Sequence, residues 1–321
     1  KPRANTQHAT RYKFMTTQPT TDLFCSLEAL NTAETLYGTA SGNTTIWFLL
    51  EYTEPWTAKA VTDNNLPPHV QRWFDGYLEE VPQSRLLFIK QDTKQVARPT
   101  RRFYLAITRE NDQRLYSFSI KAYEELLWID LEGILAGDEG YDQYLTDQQL
   151  YLVCTNGKRD RCCAKFGLEL YQAMRAENDI LVWQVTHIGG HRYAPTFAVF
   201  PQGIYYGLVQ PADAAETMQT IAQNQIVLDY YRGRTCYPEV AQAADYYLRR
   251  QTGLLALNAF TLETAETSDQ TNWTFIFRER VTDQQHQLQV ELTFSEPVLA
   301  SCSKIKYKPR PLYQLLSYQQ L

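Results

Sequence analysis

The stretch that decides the fold runs from Leu150 to Gly167, LYLVCTNGKRDRCCAKFG. Its first five residues are apolar and end in Cys154, as a short strand buried on both faces requires. The polar turn TNGKRDR then delivers Cys162 and Cys163. Phe166, Leu170, Ala173 and Met174 follow at the spacing of one helix face. Ile180–Thr186 reads as the next strand, and Thr196–Phe200 with Ile204–Val209 as a hairpin turning at Pro201-Gln202-Gly203.

The same order stands about 100 residues earlier. Ile46–Leu50 is a continuous apolar run. Pro67-Pro68 opens a helix with Val70, Trp73, Phe74, Tyr77 and Leu78 on its apolar face. Leu86–Ile89, Phe103–Thr108 and Leu115–Ile120 then read as strands, the last two forming a hairpin. Both halves are therefore β-α-β-β-β. A strand, a Cys-bearing loop, a helix, a strand and a hairpin make the order of a thioredoxin-like α/β fold. The expected organisation is a loose arm over 1–20, a degenerate thioredoxin-like domain without the cysteine loop over 21–140, a thioredoxin-like domain that carries it over 141–250, and a C-terminal β-hairpin extension over 251–321. A helix is expected over about 212–231, and a second one carries Val240, Ala243, Ala244, Tyr247 and Leu248. Thr274–Arg280 and Gln287–Phe294 alternate as a hairpin with one side solvated. The basic tail 303–311, SKIKYKPRP, is expected on the surface.

Composition narrows the function. The 321 residues suffice for roughly two domains. Aromatic residues make up 13%, which excludes a disordered chain, and 14 glycines exclude a collagen-like one. No apolar run approaches the ~18 residues of a membrane span. The net charge of −5 argues against a general nucleic-acid binder. No basic segment followed by an apolar run marks an export signal, so a reducing cytoplasm is the expected location.

There are six cysteines and five histidines. Cys25, Cys236 and Cys302 read as small buried hydrophobic side chains. Cys154, Cys162 and Cys163 differ, because they crowd into one polar loop. His187 and His191 bracket His-Ile-Gly-Gly-His, where two glycines disfavour a helix and favour a tight loop that aims both rings at one point. In an α/β fold both loops lie at one end of the sheet, where such folds place their sites. Two Cys and two His suit zinc or an iron–sulfur cluster. The competing reading makes the cysteines structural and the histidines local hydrogen-bonding groups. A thiol–disulfide oxidoreductase is disfavoured, because no C-x-x-C occurs and adjacent Cys162-Cys163 make a poor dithiol.

The segments CTNGKRDRCC, HIGGHRYAPTFAVFPQGIYYG and YYRGRTCY resemble the sucrase/ferredoxin-like family, a branch of thioredoxin-like ferredoxins. LLEYTEPW and Ala300-Ser301-Cys302 extend the resemblance over most of residues 20–310. It implies a [2Fe-2S] cluster held by two Cys with eight residues between them and by H-x-G-G-H. Cys154, Cys163, His187 and His191 fit that pattern, with Cys162 as the alternative ligand. The family often carries His where Asn156 stands and Asn where Thr196 stands; neither departure removes a ligand. Its sucrase label has no support in the residues, since no carboxylate pair for sugar hydrolysis can be assigned.

A cluster with two imidazoles in place of thiolates is expected to behave as Rieske centres do, at about −150 to +300 mV rather than the about −400 mV of plant-type ferredoxins. Both Cys are expected on the inner iron and both His on the outer one. Because each ligating imidazole retains an N–H, the potential should fall as pH rises. The function so implied is one-electron transfer to a redox partner protein, with no nucleic-acid or membrane partner. The alternative is a zinc-binding structural module on the same four residues. Lys158, Arg159, Arg161, Arg192, Arg232 and Arg234 read either as a solvated basic rim or as charges that raise the potential and attract an acidic partner.

Overall fold

The computed structural model describes residues 24–91, 99–178, 180–303 and 306–321. The arm expected over 1–20 lies outside the described residues. Helix α1 (Cys25–Asn31) precedes strand β1 (Ile46–Glu51), α2 (Pro68–Glu80), β2 (Ser84–Lys90), β3 (Arg101–Arg109), β4 (Asp112–Ile120) and α3 (Leu131–Ala136). The second half contains β5 (Leu150–Cys154), α4 (Arg161–Glu177), β6 (Val182–Val185), β7 (Thr196–Phe200), β8 (Ile204–Gly207), α5 (Ala214–Ala222) and β9 (Tyr231–Arg234). Helix α6 (Glu239–Thr252) leads to β10 (Phe260–Thr267), β11 (Asn272–Glu279), β12 (Gln285–Phe294), β13 (Val298–Ser301), β14 (Lys306–Lys308) and β15 (Pro311–Gln320).

Each half is a thioredoxin-like sheet. β1 runs parallel to β2 and antiparallel to β3, which pairs with β4. β5 repeats this with β6, β7 and β8. The edge strands β2 and β6 then pair antiparallel through Ile89–Val185 and Lys90–Gln184. One nine-stranded sheet results, in the order β4-β3-β1-β2-β6-β5-β7-β8-β9. Joining the two halves through equivalent edges covers edges that each half alone would leave exposed.

The sheet curls back on itself. β1 and β8 stand five strands apart, which spans about 24 Å in a flat sheet. Yet the rings of Trp47 and Tyr205 lie 6.3 Å apart, and Trp47 meets Phe200 at 5.1 Å. The inner faces of the two halves thus share one core, built from Trp47, Leu49, Ile89, Leu152, Trp183 and Ala198 among others. The outer faces are covered separately, by α2 and α3 on the first half and by α4 and α5 on the second. The runs Ile46–Glu51 and Leu150–Cys154 are buried along their whole length, as their unbroken apolar character demands.

Two expectations are corrected. The helix expected over about 212–231 stops at Ala222. Asn224 takes φ +54°, the chain leaves the helix, and Tyr231–Arg234 becomes the edge strand β9. The expected C-terminal hairpin is the middle of a four-stranded sheet, β10-β11-β12-β15, with β13 and β14 as a separate pair. Leu288 and Val290 are fully buried against α6, whereas Phe294 is 65% exposed at the end of the stripe. On α6 the buried Arg249 donates from Nε to both Asp245 oxygens, at 3.0 and 3.1 Å, and Tyr231 donates to Asp245 Oδ2 at 2.6 Å. Every charge in this buried pair is therefore partnered, the condition under which such a pair is tolerated. Among the described residues no helix is long and apolar enough to cross a membrane.

Candidate functional site

The Cys loop and the His loop meet at one end of the second half's sheet. Cys154 is the last residue of β5, and Cys163 lies in the first turn of α4. Asp160 caps that helix, its Oδ1 accepting from Cys162 N at 2.9 Å. Gly167, one turn further on, packs against the Cys154 backbone so closely that a Cβ there would overlap the carbonyl oxygen. This glycine lets α4 come down onto β5 and places the two sulfurs side by side.

Gly189 and Gly190 both adopt positive φ, +93° and +69°. The tight loop expected from Gly-Gly is therefore present, followed by a 3-10 turn over His191–Tyr193. Gly190 also meets the Arg232 guanidinium where a Cβ would overlap it. The donor atoms of Cys154, Cys163 and His187 lie within 4.8 Å of one another. His191 falls outside that group, but its ring is 5.3 Å from that of His187, at an interplanar angle of 36°.

The hydrogen bonds show what these rings offer. His191 Nε2 lies 2.6 Å from the Ala300 carbonyl oxygen and 3.6 Å from Asp160 Oδ2. A carbonyl only accepts, so Nε2 carries the proton and Nδ1 keeps its lone pair. His191 Nδ1 and His187 Nδ1 are both buried and have no hydrogen-bond partner among the described residues. Two orphaned imidazole nitrogens beside two buried sulfurs are the donor set a metal centre requires.

Electrostatics agree with this. The Cys154 thiol is held well below its usual pKa, first by the hydrogen bond from Cys163, then by His187 and the Ile188 N–H. The Cys163 thiol, as the donor in that bond, is pushed up. Burial lowers His191, against an opposing pull from Asp160. Arg232 is 1% exposed. It donates to the Thr39 hydroxyl and carbonyl, to Thr196 Oγ1 at 2.7 Å, and to Gly189 O at 3.3 Å. None of these partners is a carboxylate. Burial pulls its pKa down to about 10, and the fields of Tyr205, Cys154 and Cys163 oppose that pull. A buried guanidinium with no carboxylate partner among the described residues, in the field of two sulfurs, matches an anionic centre.

Cys162 does not join Cys154. Its sulfur lies 3.5 Å from Cys25 and 3.3 Å from Cys302. Cys25 and Cys302, read from sequence as small hydrophobic groups, are thus parts of a thiol cluster. The solvated-rim reading also fails for three of its six members. Arg192, Arg232 and Arg234 are buried, and Arg192 is held by Glu34 and the Leu299 carbonyl. Asn156 donates to Thr57 O, and Thr196 Oγ1 donates to Tyr206 O while accepting from Arg232. The first half also reaches the site, since Arg85 on β2 donates to the His187 carbonyl. A cavity of about 380 Å³ opens beside His187, with Lys59, Arg85 and Arg159 among its lining.

Fold and site together define a thioredoxin-like α/β protein with a cysteine–histidine group that could hold metal at one end of its sheet. The profile of the sucrase/ferredoxin-like family matches residues 36–233, more than half of the sequence, and the chain belongs to that family. It is 30% identical over 167 residues to "Altered inheritance of mitochondria protein 32" of Meyerozyma guilliermondii, covering 47% of this chain and 57% of the relative. The protein of that name in Debaryomyces hansenii is 33% identical over 97 residues, covering 27% of this chain and 36% of the relative. The chain thus spans about half or less of the length of these curated relatives. Among solved structures, a cysteine-to-serine variant of the thioredoxin-like [2Fe-2S] ferredoxin from Aquifex aeolicus is 18% identical. It aligns over 27% of this chain and 100% of its own, with a TM-score of 0.25.

Proposed function

We propose that this protein is a one-electron carrier whose [2Fe-2S] cluster is held by Cys154, Cys163, His187 and His191. The observation that carries the reading is the convergence of two buried sulfurs and two Nδ1 atoms that have no hydrogen-bond partner among the described residues, near the buried Arg232, whose hydrogen bonds go to neutral groups. A single tetrahedral ion needs all four donors within about 4 Å of one another, given metal–ligand bonds near 2.0–2.3 Å. His191 stands outside the 4.8 Å group, so the four donors do not converge on one point as a single zinc ion would have them. When bound, such a cluster supplies reversible one-electron chemistry in the range of His-ligated centres.

The chain's own residues set the conditions. The Ala300 carbonyl and Asp160 hold His191 Nε2–H and orient its ring. Arg85 fixes the His187 carbonyl. Arg232 places a positive charge where added negative charge would settle, and so favours the reduced state. A reductive titration should consume one electron per chain. Arg232→Met should lower the midpoint potential relative to the unaltered protein; an equal or higher potential would remove this role.

Lys59, Arg85 and Arg159 make the wall beside half-buried His187 basic, which fits a transient acidic redox partner. Lys59→Glu with Arg159→Glu should slow electron transfer to such a partner at low salt, with the difference shrinking as salt is added. An unchanged rate would place docking elsewhere. Six free thiols suit a reducing compartment, the cytoplasm among them.

A further inference from the structure

A second group of sulfur donors lies beside the first, and the [2Fe-2S] reading does not use it. Cys25 opens α1, Cys162 sits in the first turn of α4, and Cys302 follows β13. Cys25 and Cys302 are 137 and 140 residues from Cys162 in sequence, yet their sulfurs reach its sulfur at 3.5 and 3.3 Å. The donor atoms of these three and of Asp160 all lie within 4.8 Å of one another. Phe24, Phe166, Ala194 and Leu299 pack around the group, which leaves only Cys302 partly exposed.

The distances select among uses. A disulfide requires about 2.0 Å between sulfurs and employs two of them, leaving the third idle. A tetrahedral thiolate site with Zn–S near 2.3 Å has sulfur–sulfur edges of about 3.8 Å. The observed 3.3 and 3.5 Å lie closer to the second arrangement. Cys25 N donates to Cys302 Sγ at 2.9 Å, a bond that favours the thiolate form. Asp160 is fully buried, and its Oδ2 accepts from Ser301 Oγ and Cys302 N at 3.0 Å each, so the carboxylate is already anchored among the thiols. Thiolates with a carboxylate oxygen suit zinc better than copper(I), which prefers an all-sulfur shell.

We propose that Cys25, Cys162 and Cys302, with Asp160 as fourth ligand, bind one structural zinc ion that ties α1 and the end of β13 to the start of α4. Binding displaces the thiol protons and joins segments far apart in sequence next to the turn that carries Cys163. Asp160 also stands beside His191, so the proposal shares that one residue with the cluster reading but does not rest on it.

The test uses the unaltered protein from zinc-replete cells, with zinc and iron counted together and the zinc shell measured by X-ray absorption. The expected result is one zinc per chain with three sulfurs at about 2.3 Å and one oxygen. Cys302→Ala should lower zinc at least ten-fold and leave iron unchanged. A chain without zinc, a shell of two sulfurs and two nitrogens, or a disulfide among these three cysteines would overturn the proposal. Zinc in the sulfur-rich shell without iron would uphold it and sink the cluster reading, and iron without zinc would do the reverse.

Discussion

Cys163→Ser is expected to empty the protein of iron, while Cys162→Ser leaves its iron in place. The two residues are neighbours in sequence, but successive residues on a helix point about 100° apart. In the first turn of α4 that rotation sends Cys163 toward Cys154 and His187, and Cys162 toward Cys25 and Cys302. Even the outer partners of a metal ligand are worth about 10–100-fold in affinity, so loss of a ligand itself should lower iron per chain by at least that much. Iron content and visible absorbance after anaerobic purification measure the difference. Loss of iron in the Cys162 variant with retention in the Cys163 variant would exchange their roles.

Gly167→Ala is expected to destabilise the fold and the site together. A Cβ at this position would overlap the Cys154 carbonyl oxygen and crowd the Cys154 carbonyl carbon. Both obstacles are backbone, so no flexible side chain can swing aside. Forced overpacking of this kind costs about 1–3 kcal/mol or more. Alanine's better helix propensity returns only about 1 kcal/mol. The net loss should appear as a lower Tm, and the displaced α4 should carry Cys163 away from Cys154 and reduce iron content. Gly76 on α2 provides the control, because nothing lies within 4 Å of its would-be Cβ. Gly76→Ala should raise stability slightly through propensity alone. A Gly167→Ala protein as stable as the Gly76→Ala one would contradict the close approach of α4 to β5.

Part of this architecture is legible in the residues. Ile46–Leu50 and Leu150–Cys154 are unbroken apolar runs because both faces of a central strand are buried, and Pro67-Pro68 marks the start of α2. The duplicated β-α-β-β-β order follows from such local signals. Strand β9 does not, since Tyr-Arg-Gly-Arg carries one large apolar side chain and follows directly on a helical pattern. β15 is obscure for a related reason: much of Pro311–Gln320 is exposed, so its alternation is weak.

The site divides in the same way. Cys154, Cys162, Cys163, His187 and His191 stand in two short segments that the sequence shows directly, and the preference for Cys163 over Cys162 comes from the family resemblance. Cys25 and Cys302 are single cysteines far from Cys162, and only the tertiary fold brings their sulfurs to it. Arg232 reads as a surface charge because arginine is rarely buried without a partner. Its partners are the Thr39 hydroxyl and carbonyl, and Thr196 and Gly189 of the His loop and the strand after it, two segments that no spacing connects to residue 232.

The most direct measurement is a count of iron and acid-labile sulfide in anaerobically purified protein, with an EPR spectrum after one-electron reduction. The account predicts two iron and two sulfide per chain, and a paramagnetic signal with hyperfine coupling to two histidine nitrogens. A protein that binds no iron, or a cluster whose spectrum carries no nitrogen coupling, would contradict it.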